Sequence, residues 1–529
     1  MFFYEQRNYE KAIRCYDQAI SLEPSAGLYY KNRALAWQSM GSYEKAESDF
    51  LQALDLWIRP EHLATLKIPK KELSTASKYG RDAELLNYIG LSKYYQNKNQ
   101  EAIEYYTEAI KLDPAKVVVY ENRALAKERL QDYPGAIKDY KLALSFGDDP
   151  FLYNAIGRLE YWQNNLDEAI ENYTKAIEGD PSKAIYLENR ALAYEGLGNV
   201  ALAEKDYEAA LDLGPNIYGL NSFGIFKAKL NEHIKAVELF SSAIDIDASH
   251  AILFENRGVS FEKLGRLEEA ESDLTHSITL EPTEFRYNYL GLVNFKMNKF
   301  QEAIQYYSEA IKINPSDWLY FENRGLAYFN LGQLDEAEQD FMLCNSLQPS
   351  ATAYNYLGNI QVRRQDYEQA IALYSKGIEA NPQWAMLWEN RSFGRKQLGQ
   401  IEEAMEDIYQ ALGLEPTADR FNLLGLLHFW RFENIQAVEA YSKAIEINPD
   451  YPIYWENRGL AREALGDYAE AIDDFQQSLK IKPDPYVYNK LGEIHRTIGN
   501  KSEAKANFEQ AVALDPNDPI YRQNLDETI

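Results

Sequence analysis

Asparagine is the residue type whose spacing in this chain most directly offers chemistry. One row, Asn122, Asn189, Asn256, Asn323, Asn390 and Asn457, recurs every 67 residues. A second row, Asn87, Asn154, Asn221, Asn288, Asn355, Asn422 and Asn489, keeps the same interval. A primary amide carries donors and an acceptor together, so it can match a peptide group whatever side chain that peptide bears. The other use of such a row is structural, as caps or as bonds between repeats. A glutamate precedes each member of the first row, at Glu121, Glu188, Glu255, Glu322, Glu389 and Glu456, and an arginine follows it. Sixteen residues after every such arginine stands an aspartate. A planar guanidinium and a carboxylate satisfy each other bidentately, so Arg123–Asp139, Arg190–Asp206, Arg257–Asp273, Arg324–Asp340 and their copies read as structural ion pairs, not a charged ligand track. Nothing in the chain groups Ser, His and Asp, forms a Gly-rich phosphate loop or spaces metal ligands. The six histidines follow no repeat. No catalytic residue, cofactor or metal is expected.

The elements that position these residues follow from the same period, which announces an internal repeat. Asn-x-x-Gly places glycine at 90, 157, 224, 291, 358, 425 and 492, midway between the Glu-Asn-Arg triplets, so two sister units of about 34 residues alternate. In Asn154–Pro181 the first half carries Ile156, Leu159 and Tyr161. The second carries Ala169, Ile170, Tyr173, Ala176 and Ile177 at the spacing of an amphipathic helix. Proline then closes the unit, because it cannot continue a helix and restricts the residue before it. Alanine recurs where helices must touch, as at 102, 169, 236 and 303.

Bulk composition narrows the function. The formal net charge of −27 is spread along the chain and repels phosphate backbones, which argues against nucleic acid. No apolar run approaches the ~20 residues that span a bilayer, so membrane insertion is not expected. Two cysteines far apart make no disulfide framework and fit a reducing, cytoplasmic setting.

Tyr354, Leu357, Gly358, Tyr367, Ala370, Tyr374 and Pro382 together resemble the tetratricopeptide repeat family, and the likeness extends over nearly the whole chain. The resemblance implies an all-α fold: a right-handed superhelical solenoid of about fifteen helix-turn-helix repeats, built here as 67-residue double repeats, with first helices lining a concave groove. Residues 1–529 then form one superhelix. Residues 1–24 are a partial repeat, 25–55 a repeat interrupted by an insertion at about 56–82, 83–516 regular repeats, and 517–529 the start of a further, truncated helix. Neither end reads as a polar cap, so the chain is either an excerpt or a body whose ends meet a partner.

In relatives with an asparagine ladder, such as the repeat region of the O-linked N-acetylglucosamine transferases, an amide at the first-row place grips the backbone of an extended peptide. The resemblance therefore implies a peptide-binding groove lined by the first asparagine row and by Asn154, Asn221, Asn288 and Asn355. It also places the glutamates in that groove, with Tyr161, Trp162, Phe429 and Trp430 as aromatic platforms. Such a groove suits extended segments that are basic and apolar. The chaperone-type carboxylate clamp fits poorly, since glutamate and asparagine stand where it needs cations around one asparagine. A non-catalytic scaffold for protein–protein interaction is the reading the residues favour. The alternatives are the substrate-recruiting repeat arm of a larger enzyme and a structural protein that self-associates end to end through uncapped ends.

Overall fold

Each period becomes a pair of helices, and the local reasons are visible in the sequence. In Pro150–Trp162, Asp149 caps the first turn by accepting from the Phe151 N–H, and proline occupies the first turn, where its missing N–H costs nothing. The turn to the second helix, Leu166–Gly179, passes through Asn164 at φ 62°. That helix buries Ala169, Tyr173 and Ala176 on one stripe, and Pro181 follows its cap.

The computed structural model describes residues 2–58 and 77–528, so most of the 56–82 insertion lies outside the described residues. Among the described residues all regular structure is helical. The helices fall into two compact units, Met1–Leu264 and Gly265–Ile529. Within each unit a first helix packs on its own second helix, and successive first helices also touch one another. In the first unit Pro150–Trp162 meets Ala184–Gly196, which meets Ile217–Lys229; in the second, Glu284–Lys296 meets Trp318–Asn330, which meets Ala351–Arg363. The core is continuous from repeat to repeat in each: Tyr207, Phe223, Phe226 and Leu239 in the first, Phe341, Cys344, Leu357 and Ile360 in the second. No described helix is long and apolar enough to cross a membrane.

The turn between paired helices favours asparagine but does not always have it. Asn97, Asn164, Asn231 and Asn298 occupy the left-handed position between first and second helices of the sister units, at φ 59–62°. Asparagine tolerates that region because its short side chain bonds locally. At the same place stand Arg7 and Gln365, at φ 56° and 63°, and Phe432, at φ 62° and 88% exposed. Its ring gains no burial to offset a strained backbone. Phe432→Asn is therefore expected to stabilise the protein by about 1 kcal/mol, and a thermal scan showing no upward shift would contradict the argument.

Candidate functional site

The two asparagine rows are one row of amide pairs. Asn189 Nδ2 donates to Asn154 Oδ1 at 2.9 Å, and the same bond joins Asn122 to Asn87, Asn256 to Asn221, Asn323 to Asn288, Asn390 to Asn355 and Asn457 to Asn422 at 2.8–2.9 Å. Each donor is on one first helix and each acceptor on the first helix before it. The series continues to Asn524, in the helix Pro519–Asp526, which donates to Asn489 at 2.9 Å. Such a bond uses one N–H of one amide and one lone pair of the other. A half-buried pair such as Asn154–Asn189 retains further donors and an acceptor for an outside group.

A second row emerges only from exposure. Val118, Ile185, Ile252, Leu319, Met386, Ile453 and Ile520 are all exposed aliphatic side chains, and each lies four residues before a donor asparagine. Residues i and i+4 share a helix face, so every amide pair has an unburied apolar group one turn away. Sequence reasoning passed over this row, although its 67-residue interval matches that of the asparagines.

The arginines bridge three helices. Arg190 Nε and Nη2 donate to the two carboxylate oxygens of Asp206 at 2.7 and 2.9 Å, and Nη1 donates to Thr174 Oγ1 at 3.0 Å. Arg123 binds Asp139 and Thr107 in this way, and Arg324 binds Asp340 and Ser308. Arg257 Nη1 reaches Ser241 at 3.0 Å in the first unit, and Asp273 is buried in the second. The hydroxyl sixteen residues ahead of each arginine was not anticipated, though Thr107, Thr174, Ser241, Ser308, Ser375 and Ser442 keep the period without exception.

Comparison with known proteins follows the same units. Models described as tetratricopeptide repeat match residues 3–59, 83–116, 154–216, 253–284, 286–317, 306–339, 351–384, 452–485 and 485–518, and a model described as TPR repeat matches 433–466. Together they cover more than half of the chain. The chain belongs to the tetratricopeptide repeat family. It is 27% identical to Hsp70-Hsp90 organizing protein 3 of Arabidopsis thaliana over 348 residues, which is 64% of this chain and 56% of that protein, so the chain spans about half the length of that relative. It is 25% identical to the mitochondrial import receptor subunit TOM70 of Homo sapiens over 78% of this chain and 74% of that protein. Among solved structures, the APC/C hetero-tetramer Cut9-Hcn1 covers 95% of this chain and is covered to 96%, at 15% identity and a TM-score of 0.36.

Within these tetratricopeptide repeats the glutamates do not form a row of free carboxylates. Glu188 is 1% exposed and accepts from Asn216 Nδ2 at 2.8 Å. Glu322 is buried against Ser350 and Cys344, Glu389 accepts from Arg420 Nε at 2.8 Å, and Glu456 accepts from Ser478 Oγ at 2.7 Å. Burial raises the carboxyls of Glu188, Glu322 and Glu456 above their ordinary value, and raises Glu121 with help from the charge of Asp149. Glu255 is half-buried. Consecutive helical residues stand ~100° apart, and Glu188, Glu389 and Glu456 turn to partners 28, 31 and 22 residues further along the chain.

The aromatics divide as well. Tyr161 packs with Ala169, Tyr173 and Ala193, and Phe429 with Ala437, Tyr441 and Ala461. Trp162 and Trp430 are about half exposed, each with a cation over its ring, Arg158 at 5.1 Å and Lys396 at 5.2 Å.

Proposed function

We propose that this chain is a non-catalytic scaffold that binds extended polypeptide segments along the first-helix face of its repeats. The observation that carries the reading is the coincidence of an amide pair and an exposed aliphatic side chain one turn away, at seven places. The amides supply hydrogen bonds that any backbone can complete, and the aliphatic groups supply contacts that favour apolar side chains. A net charge of −27 adds a field that draws cationic segments and speeds their encounter. The relatives named for organizing Hsp70 and Hsp90 and for mitochondrial import reception support a role in engaging other proteins.

The test is selection of a displayed random peptide library on the purified chain and on a variant with Asn189, Asn256 and Asn323 changed to alanine. Selected apolar and basic peptides are expected to bind the variant at least about tenfold more weakly, the equivalent of roughly one hydrogen bond at one affected pair, while its circular dichroism is unchanged. Binding that survives the triple change on a folded variant sinks the proposal.

A further inference from the structure

A second exposed series interleaves with the aliphatic row. In the first unit Phe151 and Tyr218 are exposed aromatic side chains, each three residues before an acceptor asparagine, Asn154 or Asn221. Ile185 and Ile252 of the aliphatic row stand four residues before the donors Asn189 and Asn256. Residues three and four apart share a helix face, so all four side chains lie one turn before an amide. Each is also the second residue of its helix, in Pro150–Trp162, Ala184–Gly196, Ile217–Lys229 and Ala251–Lys263. The Asn189–Asn154 bond fixes the rotation between the first two of these helices, and the Asn256–Asn221 bond fixes it between the last two. Between the pairs, Asn216, the cap of Ile217–Lys229, donates to Glu188 of Ala184–Gly196 at 2.8 Å. Four successive first helices thus present an aromatic, an aliphatic, an aromatic and an aliphatic group in one stripe beside the amides. The second unit breaks the pattern. Thr352 and Asp419 hold the aromatic places of Ala351–Arg363 and Ala418–Trp430, and Asp419 accepts from the Tyr454 hydroxyl.

We infer that the stripe of the first unit takes a segment in the polyproline II conformation that carries an apolar residue at every third position. The inference rests on the scaffold reading above and names its ligand class. Packed helices stand about 8–10 Å apart, so the stripe offers one apolar group per interval of that size. A polyproline II chain has three residues per turn and rises about 3.1 Å per residue, which brings a side chain back to one face every ~9.3 Å. A β-strand returns to one face every ~6.6 Å and turns every third residue away. An α-helix matches the interval with residues seven apart, but its backbone is bonded internally and leaves nothing for the amide pairs. The polyproline II backbone makes no internal hydrogen bonds, so its polar groups are free for Asn154–Asn189 and Asn221–Asn256. Those pairs come at every second helix, hence at about every sixth residue of such a ligand. Aromatic walls are what proline-rich segments dock on, and Phe151 and Tyr218 supply them. Proline also fixes φ in advance, which lowers the cost of ordering the ligand. At the places that face away, the net charge of −27 favours lysine and arginine.

Two labelled synthetic peptides of equal composition test this by fluorescence anisotropy on the full chain. Both contain only leucine, proline and lysine; one places leucine at every third residue, the other at every second. The first is expected to bind at least about tenfold more tightly, the equivalent of burying roughly one more apolar side chain. F151S/Y218S should bind that peptide at least about tenfold more weakly than the parent does, and I185S/I252S should repeat the loss. All four positions are at the surface, and a matching thermal midpoint shows that each variant is folded. The library selection on the triple asparagine variant is run alongside. If library peptides depend on the asparagines but the period-three probe has no advantage, or binds both double variants as it binds the parent, the stripe is overturned and the scaffold stands. A dimer in sedimentation that F151S/Y218S dissolves, with no advantage for the probe, also overturns it and gives the stripe to a second copy. If no peptide depends on the asparagines, both readings fall.

Discussion

Replacing Asp340 by alanine is expected to destabilise the second unit by about 3 kcal/mol or more, because it leaves a guanidinium without its counter-charge in a largely dehydrated place. Asp340 is 3% exposed and holds Arg324 through two bonds of 2.7 and 2.8 Å. Burial raises its carboxyl above the ordinary aspartate value even though Arg324 pulls it down, so desolvation offsets much of the attraction within the pair. The pair as a whole is then weakly stabilising, whereas either half alone is strongly destabilising. Arg324→Met combined with Asp340→Leu should accordingly recover most of what Asp340→Ala loses. A repeat array need not unfold in one step, so the measurement is urea unfolding together with hydrogen exchange in Trp318–Asn330 and Leu334–Leu347. Early exchange confined to these helices and their neighbours is the expected pattern. A loss below about 1 kcal/mol, the range of an exposed pair, would show that water reaches the ions freely.

The helices were legible because their punctuation is obligatory. Proline at 181, 315 and 382 cannot continue the helix before it, and Gly157 or Gly358 opposite Tyr173 or Tyr374 marks a close approach. The arginine–aspartate contacts were also legible, since two charged types at a strict interval have few other ways to be satisfied. The meeting of the two asparagine rows was not. Asn122 is the sixth residue of Val117–Arg129, and Asn154 is the fifth of Pro150–Trp162. Whether such residues face each other depends on the rotation between neighbouring helices, which no single helix encodes. Adjacency misled the reading of the glutamates for a related reason. Glu188 stands beside Asn189 in sequence, yet it points to Asn216 in the next repeat.

The same logic that made the glycines readable makes one of them the second sensitive point. Gly358→Val is expected to cost about 3 kcal/mol, the upper range of overpacking. A Cβ built at Gly358 lies 2.4 Å from Tyr374 Cε1 and 2.7 Å from Cδ1. Tyr374 is 1% exposed, and its hydroxyl donates to Asn359 Oδ1 at 2.7 Å, so the ring cannot step aside without breaking that bond. Alanine should be milder, because its better helix propensity returns up to about 1 kcal/mol. The chain carries a natural precedent for relief: Ser392 occupies the close-packed place of its unit, and sixteen residues later stands Ile408, not an aromatic, with both side chains fully buried. Gly358→Ser joined to Tyr374→Ile should therefore unfold in urea nearer to the parent than Gly358→Ser alone. If the double variant is no better than the single one, the ring is not what excludes a side chain at 358, and the glycine is held there by the spacing of the two helices themselves.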